Sequence, residues 1–305
     1  MTAEQLPRLE AYLGERYPQF TTGVREAVSR APERFGDIAE MYLQWLLQAR
    51  GENGLFEAVD AFVQFTTDVN LAQARYEADG KYEYQSFAEV NDIHYSQDSQ
   101  MYGYLWGIYL TNFLWAHHLE ICLFFKDRFL SRIDDAGAMI EIAPGHGGWG
   151  AWALHELPEA TLRGFDISPT SIRIASSVME AAGMESRASY VQKDAMELAE
   201  VDAESADAGI SSFLIEHLEQ PQRLFDVIHH LLKPGGVFFV TGALTAAQID
   251  HIYEFHKESE LVAMAENSGL RVLETLSTNP ARTLPRARFL PRSMALLVQK
   301  PVSIG

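Results

Sequence analysis

The sequence predicts an α/β protein: a doubly wound sheet with a terminal antiparallel hairpin, preceded by an all-α N-terminal domain. Three observations predict it. Residues 33–143 contain no proline, and their apolar residues recur at helical spacing. From Ala136 onward, short apolar runs alternate with helical stretches, the pattern of βαβ units with helices on both faces of a parallel sheet. The last two apolar runs, Arg271–Leu276 and Ser293–Gln299, have only a Pro/Arg-rich loop between them and pair most simply as a hairpin at a sheet edge.

Taken in order, helices run to about residue 132, with turn signals at Gly51-Glu52-Asn53-Gly54 and Asp79-Gly80. The last is read as one long helix from Asp98 to Leu130. It is apolar on nearly every side (Leu105, Trp106, Ile108, Phe113, Trp115), so it is expected to be buried. Strands follow at Ala138–Ile142, Thr161–Phe165, Ser189–Gln192, Ala206–Ser211 and Val237–Thr241. Helical patterns separate them at Gly148–Glu156, Ser171–Ala182 and Gln220–Leu232, the last stopped by Pro234-Gly235-Gly236. The division is residues 1–132, a helical lid or substrate domain, and 133–305, the α/β domain. There is no internal repeat.

Composition narrows the function classes. Apolar residues make up 47% and charged residues 22%, enough for a sizeable core. Net charge is −18, so phosphate backbones and anionic membranes are poor default partners. The single cysteine, Cys122, excludes an intramolecular disulfide and a thiolate zinc cluster. The first residues carry neither a basic n-region nor an apolar h-region, and the run Leu105–Trp115 is too short to span a bilayer. A cytoplasmic protein acting on a small molecule is expected, and the aromatic N-terminal helices offer a surface for a homodimer.

The segment Glu141-Ile142-Ala143-Pro144-Gly145-His146-Gly147-Gly148-Trp149-Gly150 carries the chemistry. An apolar strand ends near a carboxylate, turns through glycines and opens a helix, whose free N–H groups and positive dipole end favour a ligand close to the backbone. Gly145, Gly147 and Gly150 also fit the dinucleotide register, so the loop alone leaves a nicotinamide dinucleotide and S-adenosylmethionine both open. Asp166, ending the next strand, can accept both ribose hydroxyls of either. Three features favour S-adenosylmethionine. Glu141 would repel a pyrophosphate but suits an ammonium and sulfonium. Asp194-Ala195 ends the third strand, where an acceptor can meet an adenine amino group. The fourth strand runs into Phe213-Leu214-Ile215-Glu216-His217-Leu218, followed by a helix, the Pro-Gly-Gly turn and a fifth strand.

With these segments in this order, residues 133 to 245 resemble a class I S-adenosylmethionine-dependent methyltransferase of Rossmann-like fold, most similar to the ubiquinone/menaquinone C-methyltransferase-like group (type 11 or 12 domain). The resemblance implies that Glu141, Ala143, Gly145 and Gly147 hold the methionine part. It also implies that Asp166 and Ile167 meet the ribose and adenine face, Asp194 and Ala195 the adenine edge, and that Ser211 lies near the methyl group. Ala143 departs from the pattern, which has glycine there. In similar enzymes, helices before the first strand form a substrate lid.

Methyl transfer needs donor and acceptor held in line, and a base only where the acceptor loses a proton. His217, after the fourth strand, is the candidate base. His146 lies at the cofactor's polar end, and Trp149 packs the following helix. Tyr95, Tyr102, Tyr109 and His117 are candidate acceptor contacts because their polar-tipped rings can stack on an aromatic or heterocyclic molecule. Arg282, Arg286, Arg288 and Arg292 form the one concentrated basic stretch, with Arg286 the candidate for an acceptor carboxylate or phosphate. No metal is assigned, because nothing in the spacing of His94, His117 and Glu120 fixes a geometry. Three other readings compete: an NAD-dependent oxidoreductase, a catalytically inactive binding or assembly factor, and an enzyme that uses the bound sulfonium for a rearrangement or cyclisation.

Overall fold

A computed structural model describes residues 5–91, 95, 97–200, 203–280, 283 and 285–302. The chain begins with α1 (Gln5–Arg16), α2 (Thr21–Arg30) and α3 (Phe35–Asp79). Both turn signals act within this region. Gly51 takes φ 69°, ψ −175° and kinks α3, and Gly80 ends that helix in the left-handed region at φ 76°. A short α4 (Phe87–Val90) precedes α5 (Asp98–Leu114) and α6 (Ala116–Phe124).

The expected single helix from Asp98 to Leu130 is therefore two helices followed by tighter turns. Trp115 is extended, with ψ 120°, and breaks it. No glycine or proline causes the break. Tertiary packing does: Trp115 stacks on Phe65 of α3, and the His117 carbonyl accepts from the Thr278 hydroxyl at 3.2 Å, so α6 leaves α3 for the sheet edge.

The sheet has seven strands in the order β3-β2-β1-β4-β5-β7-β6. The strands are β1 (Ala138–Ile142), β2 (Thr161–Asp166), β3 (Ala188–Gln192), β4 (Ala206–Ser211), β5 (Leu232–Leu244), β6 (Arg271–Thr278) and β7 (Arg292–Gln299). The first five are parallel, while β7 runs antiparallel between β5 and β6, so the hairpin closes one edge. Between them lie α7 (Gly148–Glu156), α8 (Pro169–Ala181), α9 (Gln222–Leu231) and α10 (Glu258–Asn267), the last of which has no counterpart in the sequence reading. Pairing passes from Ala206↔Leu232 to Ala208↔Val237, so Lys233–Gly236 bulge out of β5. A side chain at Gly236 would meet the carbonyls of Lys233 and Asp207 at about 3 Å.

One face of the sheet buries Ile140, Phe238 and Val240 under Phe225 and Ile228 of α9 and Leu261 of α10. The other face shares a continuous apolar cluster with the N-terminal helices, running from Leu9 through Trp106 and Trp152 to Leu297. The aromatics of α5 are largely spent in this core, where Trp106, Tyr109 and Phe113 are fully buried. No helix among the described residues is long and apolar enough to cross a membrane.

Candidate active site

Strand order reverses between β1 and β4, the switch point at which open α/β sheets bind ligands. The loop after β1 turns through three left-handed residues, Ala143 (φ 55°), Gly145 (φ 55°) and Gly147 (φ 73°). Gly145 lines the cavity beyond the strand ends. Gly147 does not: a Cβ there would lie 2.6 Å from Ala175 Cα, so this glycine lets α7 start against α8. Ala143, which also lines the cavity, holds a conformation costing a non-glycine residue about 1–2 kcal/mol.

The carboxylates behind and beside the loop have different surroundings. Glu141 is buried beneath it and lies outside the cavity lining. Its Oε1 accepts from the Gly150 N–H at 3.2 Å, and its Oε2 has no hydrogen-bond partner among the described residues. Burial pushes its pKa to about 8, only partly opposed by the Gly150 bond. Asp166 does line the cavity. Its Oδ1 accepts from the Ser168 N–H at 2.8 Å and its Oδ2 from the Gly145 N–H at 3.2 Å. Burial raises it to about 6 against the pull of these donors. Ile167 is 43% exposed at the cavity wall beside Asp194 and Ala195, and Asp194 accepts from the Met196 N–H at 2.8 Å. Ser211 is buried behind the wall, which is formed there by Ser212, Phe213 and Leu214. Phe213 has φ 50°, a strained setting for a bulky residue. It is held by its N–H to Thr241 Oγ1 at 2.9 Å and by stacking on His118.

The cavity is about 920 Å³, near the top of the range for small-molecule sites. It runs from the glycine loop into the helices, where Phe62, Phe65, Tyr104, Ile108 and Trp115 line it. Gln73 of α3 secures its far side. Its Nε2 donates to the carbonyls of Thr245 (3.2 Å) and Phe289 (3.1 Å), and its Oε1 accepts from the Ala247 N–H at 2.8 Å.

A polar cluster faces the same space. Tyr104 donates to Asp250 Oδ2 at 2.7 Å, Tyr95 donates to the same oxygen at 3.2 Å, and Gln248 donates to the Tyr104 hydroxyl at 2.6 Å. His217 Nδ1 lies 2.8 Å from the Asp250 carbonyl. A carbonyl can only accept, so Nδ1 carries the proton and Nε2 keeps the lone pair. Burial alone would lower the His217 pKa, but the Asp250 and Glu216 carboxylates outweigh it and hold it above the ordinary imidazole value. Glu216 is fully buried, and burial pushes it to about 7.

The other expected acceptor contacts scatter. Tyr95 and His117 line the cavity; His117 is stacked on Trp115 and held by burial at about 3. Tyr102 instead points outward, 41% exposed, under the Arg50 guanidinium. Tyr109 is fully buried and donates to the Tyr42 carbonyl at 2.8 Å, because α5 turns that side toward α3. His146 and Trp149 both line the cavity. Arg286, at φ 59°, is not a lining residue, although Pro285 and Ala287 on either side are. Arg288 is taken up by Glu77, and Arg292, which lines the cavity, donates to the His256 carbonyl. His94 and Arg282 lie outside the described residues. Glu120 is paired with Arg30 at 2.6 Å, so it is committed elsewhere.

Asp250 and His251 are the site residues that the sequence does not single out. The usable signal was position. Asp250 and His251 follow β5, at the same carboxyl edge as the residues that were found.

A glycine loop, a buried acid beneath it and a second acid ending β2, at the switch point of a sheet closed by an antiparallel β7, define a class I nucleoside-sulfonium methyltransferase fold. Comparison with known proteins agrees. Residues 140–240 match the methyltransferase domain family of type 11. No curated protein matches the chain significantly. Among solved structures, it is similar to an O-methyltransferase family protein from Burkholderia thailandensis (16% identity, 83% of this chain and 74% of that one, TM-score 0.57). It is also similar to phosphoethanolamine N-methyltransferase 2 from Haemonchus contortus, solved with S-adenosyl-L-methionine (17% identity, 72% and 61%, TM-score 0.53). A geranyl diphosphate methyltransferase, also solved with that cofactor, aligns at 11% identity over 65% and 90%, TM-score 0.51. Residues 140–240 thus carry a methyltransferase domain, in a fold shared with methyltransferases solved with S-adenosylmethionine.

Proposed function

We propose that the protein methylates a small aromatic or heterocyclic molecule enclosed between the sheet's carboxyl edge and the N-terminal helices. One observation carries this reading. A single cavity of about 920 Å³ joins the strand ends to an aromatic-lined space in the helices, with room for a cofactor and a second small molecule.

When bound, S-adenosylmethionine supplies an electrophilic methyl group on its sulfonium. The residues present fit it. Asp166 offers a fixed carboxylate to a ribose diol, Ile167 an apolar face to an adenine, and Asp194 and Ala195 a polar edge. Ala143 and Gly145 leave the backbone open to the methionine part. Glu141 acts from beneath the loop as an acceptor that fixes the start of α7, and a cationic ligand end above it would favour its ionised form. Ser211 supports the wall from behind. On the acceptor side, Phe65, Trp115 and Phe213 exclude water, and Tyr95 and Tyr104 present hydroxyls ordered by Asp250. His217 offers the Nε2 lone pair to the acceptor and takes its proton where one must leave. Residues 1–132 serve as the lid and acceptor-binding part, and the protein works in the cytoplasm.

The test is thermal shift with S-adenosylmethionine, S-adenosylhomocysteine and NAD⁺, beside an Asp166→Ala variant. A ligand at a hundredfold over its Kd adds about 2.7 kcal/mol, a rise of several degrees with the two sulfur compounds alone. That rise should vanish in the variant. A rise with NAD⁺ instead would overturn the reading. Aromatic and heterocyclic candidates are then screened by product mass, where a gain of one methyl group supports transfer and an unchanged mass with altered structure indicates rearrangement.

A further inference from the structure

In the cavity lining, Glu216, His217 and His251 bring one potential ligand atom each within 4.8 Å of one another. Glu216 is fully buried in the cavity wall, and neither of its carboxylate oxygens has a hydrogen-bond partner among the described residues. A buried carboxylate without partners is costly enough to call for an explanation. Its Oε1 lies 3.9 Å from Nε2 of His251, beyond hydrogen-bond reach.

The two imidazoles are arranged alike. His217 Nδ1 sits 2.8 Å from the Asp250 carbonyl and His251 Nδ1 sits 2.7 Å from the Ala246 carbonyl. Each Nδ1 therefore donates a proton to backbone, and in the neutral ring Nε2 is the nitrogen left to ligate. This is how proteins orient histidines that ligate metals. The rings stand edge to face with centroids 4.9 Å apart. One ligand atom from each of Glu216, His217 and His251 lies within 4.8 Å of the other two. Bonds of about 2.1 Å place neighbouring ligands roughly 3 Å apart, which small ring rotations reach.

We infer that Glu216, His217 and His251 bind one divalent first-row transition-metal ion, zinc or iron(II), with its open positions toward the acceptor space. Two histidines and one carboxylate are the donor set such ions take when substrate must also bind. A dication answers the orphaned Glu216 carboxylate, beside which Asp250 adds a second buried acid. The inference rests on the proposed acceptor site and refines it. An ion held there would occupy His217 Nε2 in place of the base role proposed above, and would supply Lewis-acid chemistry, lowering the proton affinity of an acceptor oxygen or nitrogen bound to it.

The experiment uses untagged full-length protein, stripped with a chelator and titrated with Zn²⁺ and, separately, Co²⁺. Binding is followed by elemental analysis and by the visible absorption of the cobalt form. About one equivalent should bind, with a nitrogen-ligated cobalt band. Glu216→Gln and His251→Asn should each bind at least tenfold more weakly while keeping their thermal shift with S-adenosylhomocysteine. Less than about a tenth of an equivalent in the wild-type protein, or unchanged affinity in both variants, overturns the site. Should a variant fail to fold, wild-type stoichiometry and the cobalt spectrum decide alone, and a spectrum of the aquo ion overturns the site. Failure of the methyltransferase reading shows separately, as absence of any thermal shift with S-adenosylhomocysteine in metal-loaded wild-type protein.

Discussion

Replacing Glu141 by glutamine should shift stability in the variant's favour by an amount that grows with pH. The folded chain holds this carboxyl at about 8, against 4.5 for an unperturbed glutamate. Below pH 4.5 both folded and unfolded states keep the proton, and its burial costs no extra. Between 4.5 and 8 the unfolded chain releases the proton and the folded chain retains it, so wild-type stability declines as pH rises. Above 8 the decline levels off. Linkage puts the penalty at about 1 kcal/mol at pH 5, about 3 at pH 7 and about 5 at pH 9. Glutamine keeps an oxygen for the Gly150 N–H but puts an amide where Oε2 has no partner. That cost of about 1–3 kcal/mol does not depend on pH, so it offsets the curve without tilting it. The assay is denaturant unfolding of both proteins without ligand at several pH values. A stability difference that stays flat from pH 5 to 9 would refute a neutral, buried Glu141. At pH 9, where the wild-type carboxyl is ionised, the same variant should gain less from saturating S-adenosylmethionine than wild type does, because it lacks that charge beneath the sulfonium end.

Further expectations follow from the loop and the lid. Ala143→Gly relieves a left-handed alanine and should raise stability by up to about 1 kcal/mol, measured by chemical denaturation. Gly147→Ala adds both strain at φ 73° and a clash with the Ala175 backbone, so a loss of several kcal/mol is expected; a thermal midpoint unchanged within a degree would contradict the packing described. Because Asp166 titrates near 6, S-adenosylmethionine affinity should strengthen as pH rises through that value, and calorimetric Kd values at pH 5 and 7.5 test the sign. Gln73→Leu removes three hydrogen bonds between α3 and the loops across the cavity, so limited proteolysis should cut near residues 283–290 faster.

The parts that could be read from the chain are those whose cause is local. Strand β1, the turn through Gly145 and Gly147 and helix α7 follow from apolar run, glycines and renewed helical spacing within nineteen residues, 138–156. Gly51 and Gly80 likewise act where they stand. The break at Trp115 was not readable, because it comes from Phe65 and Thr278, distant in sequence. Helix α10 was passed over although Glu260 reaches back to the Lys257 N–H at 2.7 Å, a cap visible only as a spacing of three residues. On the site, strand-end residues such as Asp166 were legible because the fold forces them there. Asp250 and His251 were not, because the long loop that carries them meets the helices only in three dimensions. Tyr102 and Tyr109, two turns apart, share one side of α5 and differ in depth: Tyr102 lies near the exposed start of the helix under Arg50, and Tyr109 is buried against Tyr42 of α3.

Leu9 and Leu297 lie in one apolar cluster, so the helices that shape the acceptor space have no interior of their own. Acceptor preference in this protein is therefore not a cassette. Grafting another enzyme's first 130 residues onto this sheet would expose Trp149, Trp152 and Phe239 before it changed what is methylated. Diversification has to proceed by single substitutions along the cavity wall, at positions such as Val69 and Ile108, where a side chain can shrink or grow without opening the shared core.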